Sequence, residues 1–311
     1  MKKENKIKSL IIGAGSMGLR HVQILNDLVH ETALITKRKD INFTTFTETK
    51  EGIKKFIPDY IIVANETNKH IKELKDIILC GFKKKVLIEK PISNDLDNIK
   101  SFDFIKDNIF VGYNLRYHPC INFIKNLLTQ EIVLSANIYV GQYLPDWRPN
   151  RDYKTTYSSD YKKGGGVLLE LSHEIDYLIY LFGKCNKSYG LASKLSDLDI
   201  NCDDSVVGYL EFQKCKHVSF NFNLLDRQGR REIILNTNKS TFKIDLFNNE
   251  IVSKTGKKTF HFDKNESYKN MHLDILNNDG KIACKYYESI ETIDLINKIK
   301  TTNKQNKEDN E

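Results

Sequence analysis

The stretch GGGVLLELSHEIDYLIYLFG, residues 164–183, places several side chains that could do chemistry behind three glycines. Apolar residues recur along it at helical spacing and form one stripe of a predicted helix. The polar side chains on the rest of its surface include Glu170, His173, Asp176 and Tyr177. Either they form the solvated face of an amphipathic helix, or they present a histidine and carboxylates to a ligand.

Lys90 ends a second candidate element, the apolar run KVLIEK at 85–90, and Pro91 follows it. Proline restricts the backbone of both residues. If the run is a strand of a parallel sheet, Lys90 lies at the carboxyl edge, where such folds bind ligands. From these residues alone, an ordinary turn is the alternative.

A GxGxxG pattern joins the first apolar run to an amphipathic run that begins near Met17. In a nucleotide-binding turn, Gly13 would permit the tight bend, Gly15 would let a pyrophosphate approach the backbone, and Gly18 would let the helix pack on the strand. The helix N-terminus, at Ser16 and Met17, would attract the phosphates. Because the pattern follows a strand and opens a helix, it predicts a dinucleotide site and not an incidental glycine-rich turn.

The residues after the second apolar run bear on which dinucleotide binds. An acid at this point holds the ribose of NAD, whereas a basic residue accommodates the 2′-phosphate of NADP. The sequence reads ITKRKD, so Lys37 and Arg38 stand where the acid is expected, and Asp40 comes slightly later. This favours NADP(H); the alternative is that both cations are solvated loop residues.

Strand-like and helix-like runs alternate through the first half of the chain, and a strand-rich region follows from about residue 186. The predicted strands of the first half are the short apolar run that begins KIKSLIIGAG, followed by TALIT, DYIIVAN, KVLIEK and NIFVGYN. Such alternation predicts parallel βαβ units in an open sheet with helices on both faces. Later runs such as SVVGYLEF, HVSFNFNLL and REIILNT are separated by short polar turns, and they predict an antiparallel sheet. The predicted fold class is therefore α/β.

Composition limits the class of protein. The chain has 311 residues with 40% hydrophobic content, which is enough for two ordinary domains. Because it shows no secretory signal and no apolar stretch of about 18 or more residues, we expect a cytoplasmic protein without a membrane span. The six cysteines are scattered without CxxC or zinc spacing, which predicts free thiols and no metal site. The net charge of +7 is not arranged as a basic stripe with aromatics, so we expect no nucleic-acid partner.

An irregular segment at 142–163 contains the single tryptophan, Trp147, together with Arg148 and Arg151. Long loops without a regular period are often functional. The indole can cover the apolar face of a sugar ring, and the guanidinium groups can bind a phosphate or carboxylate. A loop that contacts another subunit is the competing interpretation.

Five segments, in order along nearly the whole chain, resemble motifs of the glucose-fructose oxidoreductase, inositol dehydrogenase and MocA (Gfo/Idh/MocA) family. They are GAGSMGLRH at 13–21, NETNKH at 65–70, EKP at 89–91, GYNLRYHP at 112–119 and the glycine-led helix described above. The resemblance implies a Rossmann domain followed by an α/β domain with a large, mostly antiparallel sheet. It also implies hydride transfer between a nicotinamide cofactor and a sugar, cyclitol or sugar derivative.

The same resemblance implies roles for individual residues. Lys90 would hydrogen-bond the reacting oxygen, and His173 would exchange its proton, for which an imidazole is suited near neutral pH. Further cofactor contacts would come from Asn65, Thr67, His70 and Glu89. The substrate would be contacted by Asn114, Arg116, Trp147, Arg148, Arg151, Glu170, Asp176 and Tyr177. Family members commonly have an aspartate four residues before the histidine, whereas here Glu170 precedes it by three, so its role stays open.

These observations predict a dinucleotide-binding domain at 1–118, a substrate-binding and oligomerisation domain at 119–300, and a disordered polar tail at 301–311. Near the first boundary, Asn114, Arg116 and His118 either line the active-site cleft or mark the domain junction. One broad face of the antiparallel sheet is expected to pair with a copy of itself, in a homodimer or homotetramer.

The predicted function is an NAD(P)-dependent dehydrogenase or reductase that acts on a CH–OH group of a sugar. The resemblance around the segments YLPDWRP and SHEID implies phosphorylated or nucleotide-linked sugars of bacterial surface-carbohydrate biosynthesis. One alternative is a regulator that senses a sugar and a dinucleotide without turnover. Another is a glycoside hydrolase that oxidises and re-reduces its substrate with tightly held NAD.

Overall fold

The computed structural model describes residues 6–94, 96, 99, 106–148 and 150–308, with the side chains of these up to 300 except at 106. The chain divides into two compact units. Unit 1 comprises Met1–Asn114 and Lys264–Ile290, and unit 2 comprises Leu115–Asp263 and Glu291–Glu311. The first division thus falls earlier than the boundary that we predicted at 118.

The helices and strands are numbered in chain order. The α-helices are α1 (Ser16–Asp27), α2 (Thr49–Phe56), α3 (His70–Leu79), α4 (Pro119–Leu127), α5 (Val167–Glu170), α6 (Ser172–Phe182), α7 (Glu266–Asn277) and α8 (Tyr286–Glu308). The strands are β1 (Lys8–Ile12), β2 (Glu31–Ile35), β3 (Thr44–Phe46), β4 (Tyr60–Val63), β5 (Lys85–Ile88), β6 (Ile109–Val111), β7 (Val133–Gly141), β8 (Cys185–Ser193), β9 (Ser205–Phe212), β10 (His217–Asn223), β11 (Arg230–Thr237), β12 (Thr241–Asp245), β13 (Glu250–Ser253), β14 (Gly256–Thr259) and β15 (Cys284–Lys285).

Unit 1 contains a seven-stranded sheet in the order β15–β6–β5–β4–β1–β2–β3. Neighbouring strands are parallel except that β15 runs antiparallel to β6 at one edge. Nearly every side chain of β1, β4 and β5 is buried, as expected for apolar strands that are covered on both faces. The predicted Rossmann-type sheet is confirmed, and its order brings the loops after β1, β4 and β5 to the carboxyl edge.

The segment 264–290 belongs to unit 1, although we predicted it in the second domain. Cys284 of β15 pairs with Val111 of β6, and α7 places His272 beside His21 of α1. A two-residue strand and a single buried histidine leave no periodic pattern in the sequence. The return of the chain to the first sheet therefore could not be predicted from hydrophobic spacing.

Unit 2 contains an eight-stranded sheet in the order β14–β13–β12–β11–β7–β10–β9–β8. Among the described strand pairs of this sheet, β7 and β10 are parallel and the others antiparallel, so the predicted mostly antiparallel sheet is confirmed. On one face, Phe220, Ile138 and Ile233 lie side by side and are buried. Gly208 of β9 belongs to the same row, where a Cβ would lie 2.6 Å from the Phe220 ring.

The end of the chain differs from its prediction. We expected disorder from 301, but α8 continues to Glu308, and 309–311 lie outside the described residues. Once a helix has nucleated, lysine, glutamine and glutamate prolong it at little cost, so a polar composition alone does not end it.

Three further findings concern membrane spans, metal sites and the cysteines. None of the described helices is long and apolar enough to cross a membrane. The described residues contain no group of three or more His, Cys, Asp or Glu side chains that could hold a metal ion. All six cysteines are free, and burial raises the pKa of the Cys120 and Cys202 thiols to about 12. These two thiols are therefore protonated at neutral pH.

Candidate active-site residues

The glycine loop after β1 is shaped by contacts inside unit 1. Gly13 has a φ of 105°, in the region that favours glycine, and its N–H donates to Ile35 O at 3.1 Å. A Cβ on Gly13 would lie 2.8 Å from Ala64 O, and a Cβ on Gly18 would run into Gly13 O. The tight turn and the close packing of α1 therefore require these two glycines.

Gly15 differs, because the protein itself does not require a glycine there. Its φ is −77°, which any residue adopts, and no atom of the described chain beyond its neighbours lies within 4 Å of where a Cβ would be. Gly15 is also the N-cap of α1, whose first backbone N–H groups have no partner within the helix. Open access to a helix N-terminus suits a pyrophosphate, so these residues fit the phosphates of a dinucleotide.

The loop after β2 carries the charges that the sequence related to cofactor choice. Arg38 Nη1 donates to Ala14 O at 2.8 Å, so the guanidinium reaches the glycine loop. The same group binds Asp40 at 3.0 and 2.6 Å, and these hydrogen bonds lower the pKa of Asp40. Lys37 is exposed. Arg38 is therefore the basic residue of this loop that contacts the glycine loop.

His70 joins two loops at the carboxyl edge of the first sheet. It is 1% exposed; its Nδ1 lies 2.9 Å from Pro91 O, and its Nε2 lies 3.1 Å from Asn65 O. Burial lowers the pKa of His70, although both carbonyl groups favour the protonated ring. Thr67 is buried in the short 3-10 turn before α3. Asn65 Oδ1 has no hydrogen-bond partner among the described residues. Asn65 is therefore the residue of the NETNKH motif whose side-chain oxygen could accept a hydrogen bond from a ligand.

Glu89 and Lys90 follow β5 and differ in exposure. Lys90 is half-buried, and a cis peptide bond joins it to Pro91. Glu89 is 6% exposed, and its Oε1 lies 2.9 Å from His21 Nε2. A Cβ on Gly112 would lie 2.9 Å from the same oxygen. The Glu89 side chain therefore has room beside the end of β6 because residue 112 is a glycine. The structure thus places Glu89, which we predicted as a cofactor contact, against the protein.

The single helix predicted within 164–183 is two helices. Leu171 separates α5 from α6, because its φ of −98° and ψ of 29° interrupt the helical path. The glycines shape the entry: Gly166 has a φ of 108°, and Asp203 Oδ2 accepts a hydrogen bond from Val167 N at 2.9 Å. The loose start of the segment is therefore a sharp turn that is held by a carboxylate.

Of the four polar side chains predicted for a site on these helices, His173 is the most accessible. It is half-buried, whereas Glu170, Asp176 and Tyr177 are 6%, 1% and 0% exposed. The interpretation as a solvated face is wrong, because α6 is covered on nearly every side. Glu170 precedes the break and His173 follows it, so the two side chains do not lie on one regular helix. Burial raises the pKa of Tyr177 well above its ordinary value.

Arg116 and Asp176 form a buried ion pair in unit 2. Arg116 Nε and Nη2 donate to the two carboxylate oxygens at 2.9 and 2.7 Å, and the side chains are 2% and 1% exposed. The Arg116 guanidinium also lies 4.8 Å from the centre of the Tyr180 ring. We predicted both residues as substrate contacts, and the structure gives each of them a charged partner in the protein.

Asn114 and His118 lie on either side of the division between the two units. Asn114 Nδ2 donates to Ser267 Oγ at 2.7 Å inside unit 1. His118 is the N-cap of α4, where its Nδ1 accepts from Cys120 N at 3.2 Å. Burial lowers the pKa of His118 to about 4. Of the two interpretations of this motif, the division after Asn114 agrees with a domain junction.

The irregular loop after β7 folds into short 3-10 turns in the part that the structure describes. They bring Trp147, Arg148 and Arg151 to one small cleft of unit 2. Trp147 Nε1 has no hydrogen-bond partner among the described residues, and the Arg148 guanidinium lies 5.5 Å from the centre of the Tyr157 ring. Tyr157 OH lies 3.5 Å from Glu170 Oε2. The structure thus groups an aromatic face, two cations and a carboxylate.

Three buried residues beside Glu89 were missed by the sequence analysis. His21 Nδ1 lies 2.9 Å from His272 Nε2, and His272 Nδ1 lies 3.1 Å from Tyr60 OH. His21 ends the motif GAGSMGLRH, which was a signal that we did not use. His272 and Tyr60 had no such signal, because they belong to segments far apart in the chain.

The chain is similar to known proteins in sequence. The family model for the oxidoreductase family, C-terminal alpha/beta domain, matches residues 137–309, which is more than half of the chain. An uncharacterized oxidoreductase from Synechocystis sp. is 28% identical over 151 residues, 45% of this chain and 40% of that protein. The chain thus spans less than two thirds of the length of the curated relatives that it matches.

Solved structures share the fold. The WlbA dehydrogenase from Bordetella pertussis, in complex with NADH and UDP-GlcNAcA, has a TM-score of 0.79 at 15% identity, over 97% of each chain. UDP-N-acetylglucosamine 3-dehydrogenase GnnA from Acidithiobacillus ferrooxidans has a TM-score of 0.76 at 12% identity, over 96% of this chain and 98% of that one. Since the family model covers most of unit 2 and both sheets have the expected topology, the chain belongs to the Gfo/Idh/MocA family of oxidoreductases.

Proposed function

We propose that the protein is an NAD(P)-dependent dehydrogenase or reductase that transfers a hydride to or from a CH–OH carbon of a sugar derivative. The observation that carries the proposal is the glycine loop of unit 1. Its open space at Gly15 and the N-terminus of α1 suit a dinucleotide phosphate. Membership of an oxidoreductase family supports the same activity.

The residues of this chain divide the remaining tasks. When bound, the nicotinamide ring accepts or donates the hydride. Lys90, half-buried after β5, would donate a hydrogen bond to the reacting oxygen and stabilise negative charge on it. His173, the most accessible of the four candidate polar side chains on α5 and α6, would take the hydroxyl proton in oxidation and return it in reduction. His70 would help to hold Lys90 through the carbonyl of Pro91.

Arg38 supports a preference for NADP(H). Its side chain is 45% exposed, and it already reaches the glycine loop through Ala14 O. A ribose 2′-phosphate there would gain a charge-assisted hydrogen bond from the guanidinium, in competition with Asp40. We propose the NADP(H) preference for this chain alone. The WlbA dehydrogenase, by contrast, was solved in complex with NADH.

Nucleotide-linked sugars are the proposed substrate class. The two structural relatives named above carry UDP-linked sugars in their names. In this chain, the cleft beside Trp147 offers an aromatic surface, and Arg148 and Arg151 offer cations for a diphosphate.

The proposed location of the protein is the cytoplasm. Its six cysteines are free thiols, which agrees with a reducing compartment.

A second copy of the chain is the proposed partner of the exposed face of the unit 2 sheet. The strand register places Leu191 beside Val207, and Tyr189 beside Tyr209. Leu191, Val207 and Tyr189 are 52%, 41% and 57% exposed. Adjacent exposed aliphatic and aromatic side chains suit a packed interface, which supports a homodimer or homotetramer.

The test combines nicotinamide absorbance and fluorescence on the purified protein. NAD⁺, NADP⁺, NADH and NADPH are titrated first, and then each is offered with UDP-linked, phosphorylated and free sugars. Turnover of a UDP-linked sugar would support the proposal. The variant Arg38→Ala should lower the affinity for NADPH more than the affinity for NADH. Dinucleotide binding without turnover would favour a sensor, co-purified cofactor that never exchanges would favour a hydrolase, and failure to bind any dinucleotide would contradict the proposal.

A further inference from the structure

Four buried side chains of unit 1 form one hydrogen-bonded chain that the proposed reaction does not use. Glu89 Oε1 lies 2.9 Å from His21 Nε2, His21 Nδ1 lies 2.9 Å from His272 Nε2, and His272 Nδ1 lies 3.1 Å from Tyr60 OH. The two histidines and the tyrosine are 0% exposed, and Glu89 is 6% exposed. Because unpaired polar groups are costly in such a place, the four side chains depend on one another.

The donor and the acceptor can be assigned in each of these three hydrogen bonds. Burial, with His21 and His30 nearby, lowers the pKa of His272 well below its ordinary value, so His272 is neutral and has one N–H. Burial also raises the pKa of Tyr60 far above its ordinary value, so Tyr60 keeps its O–H. Tyr60 then donates to His272, His272 to His21, and His21 to the carboxylate of Glu89. Because a carboxylate only accepts, this order gives each ring one N–H that donates and one nitrogen that accepts.

These hydrogen bonds join three elements of unit 1 to the residue that follows β5. His21 belongs to α1, which follows the glycine loop, and Tyr60 begins β4. His272 belongs to α7, in the segment that returns to this unit from the far end of the sequence. Glu89 directly precedes Lys90, so a constraint on the Glu89 side chain limits the backbone from which the Lys90 side chain starts.

We propose that Glu89 is a positioning residue, whose carboxylate is held by His21 and His272 so that the end of β5 stays fixed relative to α1. The inference rests on the proposed function in one respect, which is that Lys90 serves the reaction. Glu89 acts through the backbone of Lys90. Disruption of these hydrogen bonds should therefore lower the rate of turnover more than it lowers the affinity for the dinucleotide.

His272 offers a matched pair of variants, because glutamine and asparagine imitate different ring nitrogens. In His272→Gln the amide reaches the position of Nε2 and keeps a bond to His21, whereas in His272→Asn it reaches the position of Nδ1, near Tyr60. Both variants lose the same ring, so their general effect on folding is similar. Thr237→Val removes a buried hydroxyl of unit 2 that donates to Glu131 Oε2 at 2.6 Å, and it controls for loss of a buried hydrogen bond elsewhere.

Hydrogen exchange measured by mass spectrometry reports on the end of β5 without any substrate. We expect exchange in a peptide that covers Val86–Ile92 to rise about fivefold in His272→Asn and in the isosteric variant Glu89→Gln. His272→Gln and Thr237→Val should stay within about twofold of the wild type. Unchanged exchange in both His272→Asn and Glu89→Gln would overturn the proposal, and so would an equal rise in His272→Gln and His272→Asn.

Steady-state kinetics provides the second readout. We expect kcat of His272→Asn to fall about tenfold while the Kd for NADH and the KM for the sugar change less than about threefold. An equal loss in kcat and in NADH affinity would contradict a positioning role. If the wild type turns over no substrate, the proposed function fails, and the exchange experiment still decides whether Glu89 positions the strand end.

Discussion

Arg116 donates two hydrogen bonds to Asp176 at a place where neither side chain is more than 2% exposed. Removal of one partner takes a bidentate counter-ion away from a buried charge, which typically costs about 3–5 kcal/mol. We therefore expect Asp176→Ala to lower the free energy of unfolding by about this amount, measured by urea denaturation.

An exposed ion pair provides the control for that variant. Lys72 and Asp76 form an i,i+4 pair on α3 whose side chains are 74% and 39% exposed. Asp76→Ala should change the free energy of unfolding by less than about 1 kcal/mol. Equal effects in the two variants would show that Asp176 does not stabilise the fold through Arg116.

His118 should make stability depend on pH. Its Nδ1 caps α4 and must remain unprotonated to accept a hydrogen bond from Cys120 N, while its Nε2 lies 2.9 Å from Asn249 Oδ1. Burial lowers the pKa of His118 from 6.5 to about 4, so between these values the unfolded chain binds a proton that the folded chain does not. Stability is therefore complete above pH 6.5 and declines as the pH falls toward 4, by roughly 3 kcal/mol for the full shift.

The matched variant for this effect is His118→Asn, because asparagine caps a helix without a titratable group. We expect the Tm of the wild type to fall more steeply than that of His118→Asn between about pH 7 and about pH 4.5. Parallel curves for the two proteins would exclude His118 as the source of the pH dependence.

Gly15 and Gly18 should fail in different ways when substituted. A Cβ at Gly15 would have no described atom beyond its chain neighbours within 4 Å, so Gly15→Val should keep the Tm and weaken NADH binding by about tenfold or more. A Cβ at Gly18 runs into Gly13 O, so Gly18→Ala should cost about 2 kcal/mol or more of stability. Thermal unfolding and NADH fluorescence check both variants, and unchanged NADH affinity in Gly15→Val would count against the proposed phosphate site.

The exposed face of the second sheet should lose its partner when it is charged. Val207→Lys places a cation beside Leu191, and we expect light scattering to show a monomer where the wild type is a dimer or tetramer. Leu79→Lys, at an 84% exposed position at the end of α3, is the control and should keep the wild-type mass. A monomeric wild type, or the same oligomer in Val207→Lys, would contradict the proposed interface.

The fold could be predicted largely from local patterns. β1 and β5 are continuous apolar runs, and the glycines between β1 and α1 mark a turn that few other sequences form. What the patterns missed depends on contacts across long sequence separations. The pairing of Cys284 with Val111 leaves no local trace, and neither does the break at Leu171 within an otherwise periodic helix.

The site residues were predicted by type more readily than by environment. Arg116 and Asp176 read as polar residues available to a ligand, because the sequence does not show that they meet each other across 60 positions. His272 was missed for the same reason, since its partner His21 lies 251 positions away. Motif spacing identified Gly15, Lys90 and His173 as candidates, because their chemistry is local to one turn or one helix.

Lys90 is the residue on which the proposed reaction depends most directly. The decisive measurement is the rate of nicotinamide absorbance change for the wild type and Lys90→Met with the same UDP-linked sugar, together with NADH binding. The account predicts that kcat of Lys90→Met falls by about 10²-fold or more, while the Kd for NADH changes less than about threefold. Turnover of Lys90→Met within about threefold of the wild-type rate would contradict the assignment of Lys90 to the reacting oxygen.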